Sequence, residues 1–420
     1  MATLTGLKIK DSYDGLLKTA NNLPFPTDTI GVLVQDGLGN NSPIRISTTA
    51  VSLGGSGSTI SGVQCVNLGN NNVVGGNQSM AVGNGHIIAS GSSQSMAFGN
   101  AVEIDGIRSY GFGNKSTIVG NDTFVVGTNN NVDNQGSVVF GNDNNIPNIA
   151  NLAVQQQKYS KIIGNNNTTQ STNWGASLRS TIIGNNNIMD GDIDSVIIGT
   201  NTNINGQGGN VRSVAIGLSN GIMQDCTDTI TMGKFGKSYS SIGAVNINGL
   251  DFGLNNVTIG FGALNFGSNC VAIRGYTEGN NSISISGQAY SNNSISIGEN
   301  SFVDYGSVSG TAVGFGATVQ LNHNFANAFG YNVQSLPNAT VIGKYNDDAA
   351  ISTPPAAFVV GIGGSNANRK NGMQIDDNGG IIFNQLHLTS SFTNDTTAAA
   401  GGVDIGQLYR TGSTIKIRVS

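Results

Sequence analysis

Several aspartates lie close together along the chain, a spacing that could serve glycoside hydrolysis. Asp190, Asp192 and Asp194 alternate with other residues, and Asp347 is followed directly by Asp348. Two carboxyl groups that flank a glycosidic bond can act as general acid and as nucleophile or base, provided that a cleft shifts their pKa values. Both groups lie in turn-like stretches of the sequence. We therefore predict solvated loop carboxylates and no catalytic residues.

The histidines and the Asn-rich turns are the next candidates for a metal site. His86, His323 and His387 are scattered along the chain, although a threefold assembly could bring three copies of one of them together around a metal ion. Calcium could bind the Asn and Asp turns, but the GGxGxD repeat typical of calcium-binding solenoids is missing, and asparagine alone is a poor ligand for a hard cation. We predict no metal.

The cysteines and the glycine-rich runs indicate no cofactor. Cys65, Cys226 and Cys270 lie far apart and form no CxxC pair, so we predict buried small side chains instead of a disulfide or zinc framework. The GFG and GIGG runs resemble nucleotide-binding loops only superficially, because neither a helical pattern nor a Lys-Ser/Thr pair follows them.

Composition excludes several classes of partner. The 420 residues include 61 glycines, only 10% are charged, and the net charge is -5 with 19 lysines and arginines. This composition is typical of a repeat protein and leaves no basic stripe for nucleic acid or an anionic membrane surface. Without an apolar run of the length of a signal peptide or a membrane span, the chain is expected to be made in the cytoplasm.

A short pattern recurs from about residue 60 to residue 365: a small polar residue, an apolar residue, any residue, an apolar residue, then Gly and usually Asn. Examples are SMAVGN from Ser79 and SVAIGL from Ser213. The closing glycine, called the marker here, recurs about every 14–16 residues. The marker positions are Gly69, Gly83, Gly99, Gly113, Gly127, Gly141, Gly164, Gly184, Gly199, Gly217, Gly233, Gly243, Gly260, Arg274, Ser286, Gly298, Gly314, Gly330, Gly343 and Gly361.

This pattern predicts one short strand per repeat, followed by a tight turn that requires a residue tolerant of positive φ. Each repeat would be one coil of a solenoid, giving about twenty coils. The apolar residue just before the marker, such as Val82, Phe98 or Ile216, is expected to point into the core. Asparagine is common in turns because it tolerates positive φ, and this preference is enough to explain the asparagine runs without asparagine ladders between coils or contacts with glycans. The runs are Asn70–Asn72, Asn129–Asn131, Asn165–Asn167 and Asn185–Asn187.

The position three before the marker is less strictly apolar. It holds Lys161, Thr181, Asn327 and Thr340 in four coils, which we expect to be weaker or distorted. Two longer spacings, between Gly141 and Gly184, predict loops that bulge from the solenoid. The second of these loops contains Trp174, the single tryptophan.

A coil of this size encloses a thin core, and small solenoids need neighbours to bury enough apolar surface. Three parallel chains that share an axis would supply that burial. The SVAIG-type pattern resembles the head repeats of trimeric autotransporter adhesins. That resemblance implies a left-handed parallel β-roll assembled as a homotrimer. The secretion signal and membrane anchor of that family are missing, so we do not expect an autotransporter.

The two ends of the chain resemble phage appendage proteins. The stretch from Leu4 to Phe25 is similar to the leader of many phage structural proteins, and the stretch from Gly406 to Ser420 is similar to their ending. The resemblance implies residues 1–58 as a virion-docking segment, 59–365 as the trimeric shaft and 366–420 as a cap and tip. In the tip, Leu408–Arg410 and Thr414–Val419 predict a β-hairpin.

The sequence therefore predicts a non-enzymatic fibre or appendage of a bacteriophage particle. Its partners would be two further copies of the chain, other virion proteins at its N-terminal segment, and a host-surface glycan or protein at the tip or near Trp174. Three alternatives stay open: a head fibre or decoration protein on a capsid, a polysaccharide depolymerase, and a bacterial surface adhesin. A depolymerase is expected to have broader coils and an acidic cleft.

Overall fold

The computed structural model describes residues 17–27, 31–54, 57–147, 159–170, 179–190, 194–205, 212–223, 226–348, 355–383 and 390–420. Within these residues the chain is all-β, a parallel β-solenoid of about 18 turns with almost no helix. The chain divides into two compact units, unit 1 (Met1–Phe235) and unit 2 (Gly236–Ser420). The predicted all-β solenoid is confirmed, whereas the division after Phe235 was not predicted from the sequence.

Unit 1 starts with an antiparallel sheet that leads into the first coil. A short 3-10 helix, Ala20–Asn22, follows its first strand. The last strand of this sheet, Ala50–Leu53, pairs in parallel with Cys65–Leu68 and so begins the solenoid. The antiparallel strands are Lys18–Thr19, Val32–Gln35, Asn41–Ile46 and Ala50–Leu53.

Each coil adds one strand to each of two parallel ladders, called the first sheet and the second sheet. In unit 1 the first sheet contains Cys65–Leu68, Met80–Asn84, Met96–Asn100, Tyr110–Asn114, Phe124–Thr128, Val138–Phe140, Lys161–Ile163, Thr181–Asn185, Val196–Thr200, Val214–Leu218 and Ile230–Lys234. The second sheet contains Thr59–Ile60, Val73–Val74, Ile87–Ile88, Glu103–Ile104, Thr117–Ile118, Asn131–Val132, Asn145–Ile146, Thr168–Gln170, Ile188–Asp190, Asn203–Asn205 and Gly221–Met223.

Unit 2 repeats this arrangement. Its first sheet contains Val245–Ile247, Val257–Ile259, Val271–Ile273, Ile283–Ile285, Ile295–Ile297, Thr311–Val313, Asn327–Tyr331, Thr340–Lys344 and Ala356–Ile362. Its second sheet contains Lys237–Tyr239, Leu250–Asp251, Leu264–Asn265, Tyr276–Thr277, Gln288–Ala289, Phe302–Val303 and Thr318–Val319. Two antiparallel strands, Asn371–Asp376 and Ile381–Phe383, extend the first sheet beyond its last parallel strand.

The C-terminal tip packs one short helix against a hairpin. The helix Asp395–Ala400 begins with a capping box on Asn394. The predicted hairpin is confirmed, with strands Leu408–Thr411 and Thr414–Ile417. The Asp395 carboxylate accepts hydrogen bonds from the Tyr409 hydroxyl and from the Val419 and Ser420 amides, and these bonds lower its pKa to about 2. This one side chain therefore fastens the end of the chain to the helix.

The direction of the strand side chains corrects the sequence-based prediction. The residue two before the marker points into the coil, as Ala81, Ala97 and Ile197 do with no exposed surface. The residue just before the marker, expected in the core, lies on the outer face, and Ile163 is 52% exposed. Because side chains alternate along a strand, a shift of one position reverses every assignment.

The coils with polar residues three before the marker are not distorted. Lys161, Thr181, Asn327 and Thr340 each pair in the same parallel register as their apolar equivalents. Since this position also faces outward, a polar residue there does not disturb the core. The expected weakness of these coils rested on the wrong direction of the side chains.

Two buried polar ladders connect successive coils. The hydroxyl of Ser95, the small polar residue of its repeat, donates to the Gly106 carbonyl at 2.9 Å and accepts from the Ser109 amide at 3.1 Å. Asparagines form the second ladder, in which Asn144 donates to the Asn130 side chain at 2.9 Å and to the Gly164 carbonyl at 2.8 Å. Buried polar groups cost little when every hydrogen bond is made.

The asparagine turns therefore serve two purposes. Turn chemistry is confirmed where asparagine has positive φ, as at Asn129 (56°) and Asn186 (55°). The neighbouring Asn130 and Asn187 are buried and belong to the ladder, which the sequence-based interpretation had set aside.

From Gly69 to Gly217 the marker glycines occupy a column in which a side chain would collide with the next coil. Gly113 has a φ of 139°, and a Cβ on it would lie 1.8 Å from the carbonyl oxygen of Gly127 in the next coil. The same collision recurs along the column, for example between Gly83 and Gly99. Glycine is therefore required by the close approach of successive coils and by the turn.

We predict that Gly113→Ala lowers the free energy of unfolding of the protein by at least ~2 kcal/mol, because the new methyl group meets a backbone carbonyl at a strained φ. Thermal and urea unfolding followed by circular dichroism measure the change. Gly91→Ala is the matched control, since a Cβ at Gly91 meets no atom within 4 Å. Equal stability of the two variants would contradict the role of the marker column.

Candidate assembly interface

The outward side chains of the first sheet form a continuous apolar surface, called the apolar face. Each coil contributes the residues one and three before its marker. In unit 1 the apolar face contains Val66, Leu68, Met80, Val82, Met96, Phe98, Tyr110, Phe112, Phe124, Val126, Val138, Phe140, Ile163, Ile183, Val196, Ile198, Val214, Ile216, Ile230 and Met232.

These side chains are half-buried by their neighbours or exposed. Phe140 is 42% exposed, Ile183 38% and Ile198 40%. Large contiguous apolar patches on a single chain mark surfaces that contact another molecule, because the hydrophobic effect favours their removal from water.

Stacking across coils orders the aromatic part of this face. The rings of Phe98 and Phe112 lie 4.8 Å apart and nearly parallel, and Phe124 continues the row at 5.6 Å from Phe112. The parallel register places these residues on neighbouring strands. The apolar face of unit 1 is thus a shaped surface with fixed side chains.

Charge is rare on this side of the first sheet, where Lys161 is the one charged residue among the described outward positions of unit 1. Charged pairs lie instead at positive-φ turn positions, where Arg108 binds Asp122 and Arg212 binds Asp228 between successive coils. Exposed pairs contribute little to stability, so their main effect is to keep these corners soluble.

Unit 2 carries the same kind of face. Its outward first-sheet residues are mostly Ile and Val, all half-buried in the single chain except Phe329, which is 37% exposed. They are Val245, Ile247, Val257, Ile259, Val271, Ile273, Ile283, Ile285, Ile295, Ile297, Thr311, Val313, Asn327, Phe329, Thr340, Ile342, Phe358 and Val360.

The candidate carboxylates serve structural purposes where they are described. Asp194 pairs with Arg179, whose hydrogen bond lowers the pKa of the aspartate. Asp190 is buried at the end of a second-sheet strand, which corrects its assignment to a solvated loop. The Asp348 carboxylate accepts a hydrogen bond from the Gln320 side-chain amide. The backbone N–H of Asp347 donates to the side-chain oxygen of Asn371. Asp192 lies outside the described residues.

The two described histidines are packing residues. His86 has no exposed surface; its Nδ1 accepts from the Val102 amide and its Nε2 donates to the Val82 carbonyl. With both nitrogens used inside the coil, His86 cannot ligate a metal at a symmetry axis. His323 bonds to the Ser335 hydroxyl, and burial lowers its pKa. His387 and Trp174 lie outside the described residues.

The three cysteines are buried, as predicted, and none of them forms a disulfide bond. Cys65 takes the place of the repeat serine, and its thiol donates to the Gly76 carbonyl at 3.0 Å. Cys270 does the same toward Gly279 at 3.0 Å. Burial raises the pKa of both thiols, which keeps them in the neutral form that donates.

Asp251 is a buried carboxyl group that sequence reasoning missed. It points into the core of unit 2 and binds the Ser241 hydroxyl at 2.6 Å and the Asn256 amide at 2.8 Å. Burial raises its pKa above the ordinary value. The available signal was a polar residue at the second-sheet position that holds Val or Ile in most coils of unit 1.

No three His, Cys, Asp or Glu side chains gather into a metal site within the described ranges. In the same part of the chain, none of the helices has the length and apolar character needed to cross a membrane.

Comparison with known proteins adds no further assignment. The chain matches no protein-family model and none of the curated proteins. Its likeness to autotransporter head repeats and phage appendages thus stays a prediction from the motifs.

We predict that Asp251 makes unit 2 less stable at higher pH. Its folded-state pKa is raised, so its contribution to stability is complete below the ordinary value of 3.8 and is lost as pH rises through the raised pKa. Asp251→Asn should therefore melt at a higher temperature than the wild type near neutral pH, and the difference should shrink toward about pH 4. Calorimetric melting across this range gives the comparison. A difference independent of pH would contradict the assignment.

Proposed function

We propose that this protein is a structural fibre protein that assembles as a homotrimer, with the apolar faces of three chains packed around a common axis. The observation that carries the proposal is the apolar face itself. Side chains such as Ile104 and Ile197 already fill the interior of their coils, and each coil carries further large apolar side chains on the outside. The stability that they offer is realised only against another chain.

Threefold symmetry fits the arrangement of the face. Each strand presents two outward columns, for example Val196 and Ile198, and in a trimer each chain has two neighbours. One column can pack against each neighbour, which closes the assembly and leaves no apolar face in solvent. The left-handed coil follows from the resemblance to autotransporter head repeats.

We further propose that the trimer is an appendage of a bacteriophage particle, used for attachment to the host surface. The likeness of the segments Leu4–Phe25 and Gly406–Ser420 to phage structural proteins supports this location. A head fibre could use the same trimeric assembly. A depolymerase receives less support, because Asp194 is held by Arg179 and Asp190 is buried in a strand.

We predict that Ile183→Asp dissociates the assembly, because a carboxylate placed in an apolar interface loses its hydration without gaining a partner. Ile188→Asp is the matched control: both side chains are 38% exposed, but Ile188 projects from the second sheet. Light scattering should give the wild type and the control a mass near three times the 43.1 kDa chain, and the Ile183 variant a lower mass.

A monomeric wild type would contradict the proposed trimer. Dissociation of the Ile188→Asp control would show that the second sheet takes part in the interface. The virion location is tested separately. Peptides of this chain should be found by mass spectrometry in purified phage particles and labelled by an antibody on an external appendage. Their absence from particles that carry every other virion protein would refute the location and leave the assembly intact.

A further inference from the structure

Two shortened corners in unit 2 create a notch in the surface of the solenoid. Between the first-sheet and second-sheet strands, the coil that begins at Val257 has four connecting residues, 260–263. The next two coils have only two each, Arg274–Gly275 and Ser286–Gly287. The coil after them again has four, 298–301. Long corners therefore form the two walls, and short corners form the floor.

The departure from the repeat was visible in the sequence, since Arg274 and Ser286 are the two marker positions without glycine. In the structure, equivalent asparagines of these coils lie 12 residues apart in the sequence, whereas those of the preceding coil lie 14 apart. The corners are shorter by these two residues. The notch has a volume of about 410 Å³, within the range of small-molecule sites.

Arg274 is the single charged residue that lines the notch, and its side chain makes no ion pair or hydrogen bond with any described residue. Its aliphatic stem lies over Gly260, where a Cβ would come within 2.6 Å of the Arg274 Cγ. The stem is thus supported while the guanidinium is exposed. By contrast, Arg108, Arg179 and Arg212 each pair with an aspartate of the next coil.

The remaining lining alternates aromatic and neutral polar side chains. Along the second sheet, Tyr276 aligns with Gln288, which aligns with Phe302. Asn300 belongs to the far wall. Its side-chain amide makes no hydrogen bond with any described residue. Glu278, which accepts hydrogen bonds from the Tyr276 and Tyr305 hydroxyls, is not among the lining residues.

We propose that this notch binds a short acidic saccharide whose carboxylate pairs with the Arg274 guanidinium. A guanidinium binds a carboxylate through two parallel hydrogen bonds, and one cation balances one carboxylate charge. The Gln288 oxygen already accepts from the Tyr290 hydroxyl, so its Nε2 group and the Asn300 amide supply the hydrogen bonds for sugar hydroxyls. The Tyr276 and Phe302 rings offer apolar surface to the C–H faces of the sugar. The site lies within one chain and does not depend on the proposed trimer.

Calorimetric titration of the full chain tests this inference, with 3′-sialyllactose and trigalacturonic acid as probes and lactose and maltotriose as neutral counterparts. We expect at least one acidic probe to bind about tenfold or more tightly than its neutral counterpart. Arg274→Gln should abolish that preference. Lys115→Gln is the matched control, because Lys115 is also an exposed cation at a positive-φ position (53°) and should leave binding unchanged.

Binding that Arg274→Gln leaves intact, or the absence of binding by both acidic probes, would overturn the proposal. Inorganic phosphate that binds as tightly as the acidic sugars would make the notch a site for small anions only. The native mass of each variant is measured on the same sample. If Arg274→Gln lowers the native mass, Arg274 contacts a neighbouring copy of the chain in the assembly. That result would contradict a saccharide site in the notch.

Discussion

Successive coils approach so closely at the marker column that the carbonyl of one glycine occupies the place of a Cβ on the previous one. The contact of Gly83 with Gly99 and that of Gly113 with Gly127 show the spacing, with a virtual Cβ 1.8 Å from the next oxygen. This approach lets each strand donate and accept backbone hydrogen bonds along the solenoid axis, about 4.8 Å from the next strand. The parallel register, the buried ladders and the outer face all depend on that repeat distance.

A coil held to this spacing has little room inside. Ala, Val and Ile occupy its inward first-sheet positions, as at Ala97, Val125 and Ile197. Serine and asparagine ladders form hydrogen bonds between coils in the same interior, although the Ser137 and Ser160 hydroxyls have no partner among the described residues. A second set of large apolar side chains lies on the outer face. The hydrophobic surface of the chain is thus divided between the interior of each coil and an outer face that is available for association.

Variation enters where the repeat distance does not constrain the chain, at the corners. Exposed corner positions take ion pairs such as Arg108 with Asp122 without altering the ladders. A change in corner length has a larger effect, since two short corners at Arg274 and Ser286 leave a notch between longer neighbours. Regular strands and variable corners let one chain combine an assembly surface with a separate recess for a ligand.

The sequence by itself determined the repeat, its strands, the need for glycine at the markers, the burial of the cysteines and the C-terminal hairpin. These follow from local periodicity and from turn chemistry. It did not determine which side of each strand faces inward, because both outward columns, such as Met80 and Val82, are as apolar as core residues. Nor did it indicate the asparagine ladder, the burial of Asp251 or the notch at Arg274. The ladder and the notch depend on contacts between coils 12 to 23 residues apart, and Asp251 on partners 5 to 10 residues away that only the closed coil brings together.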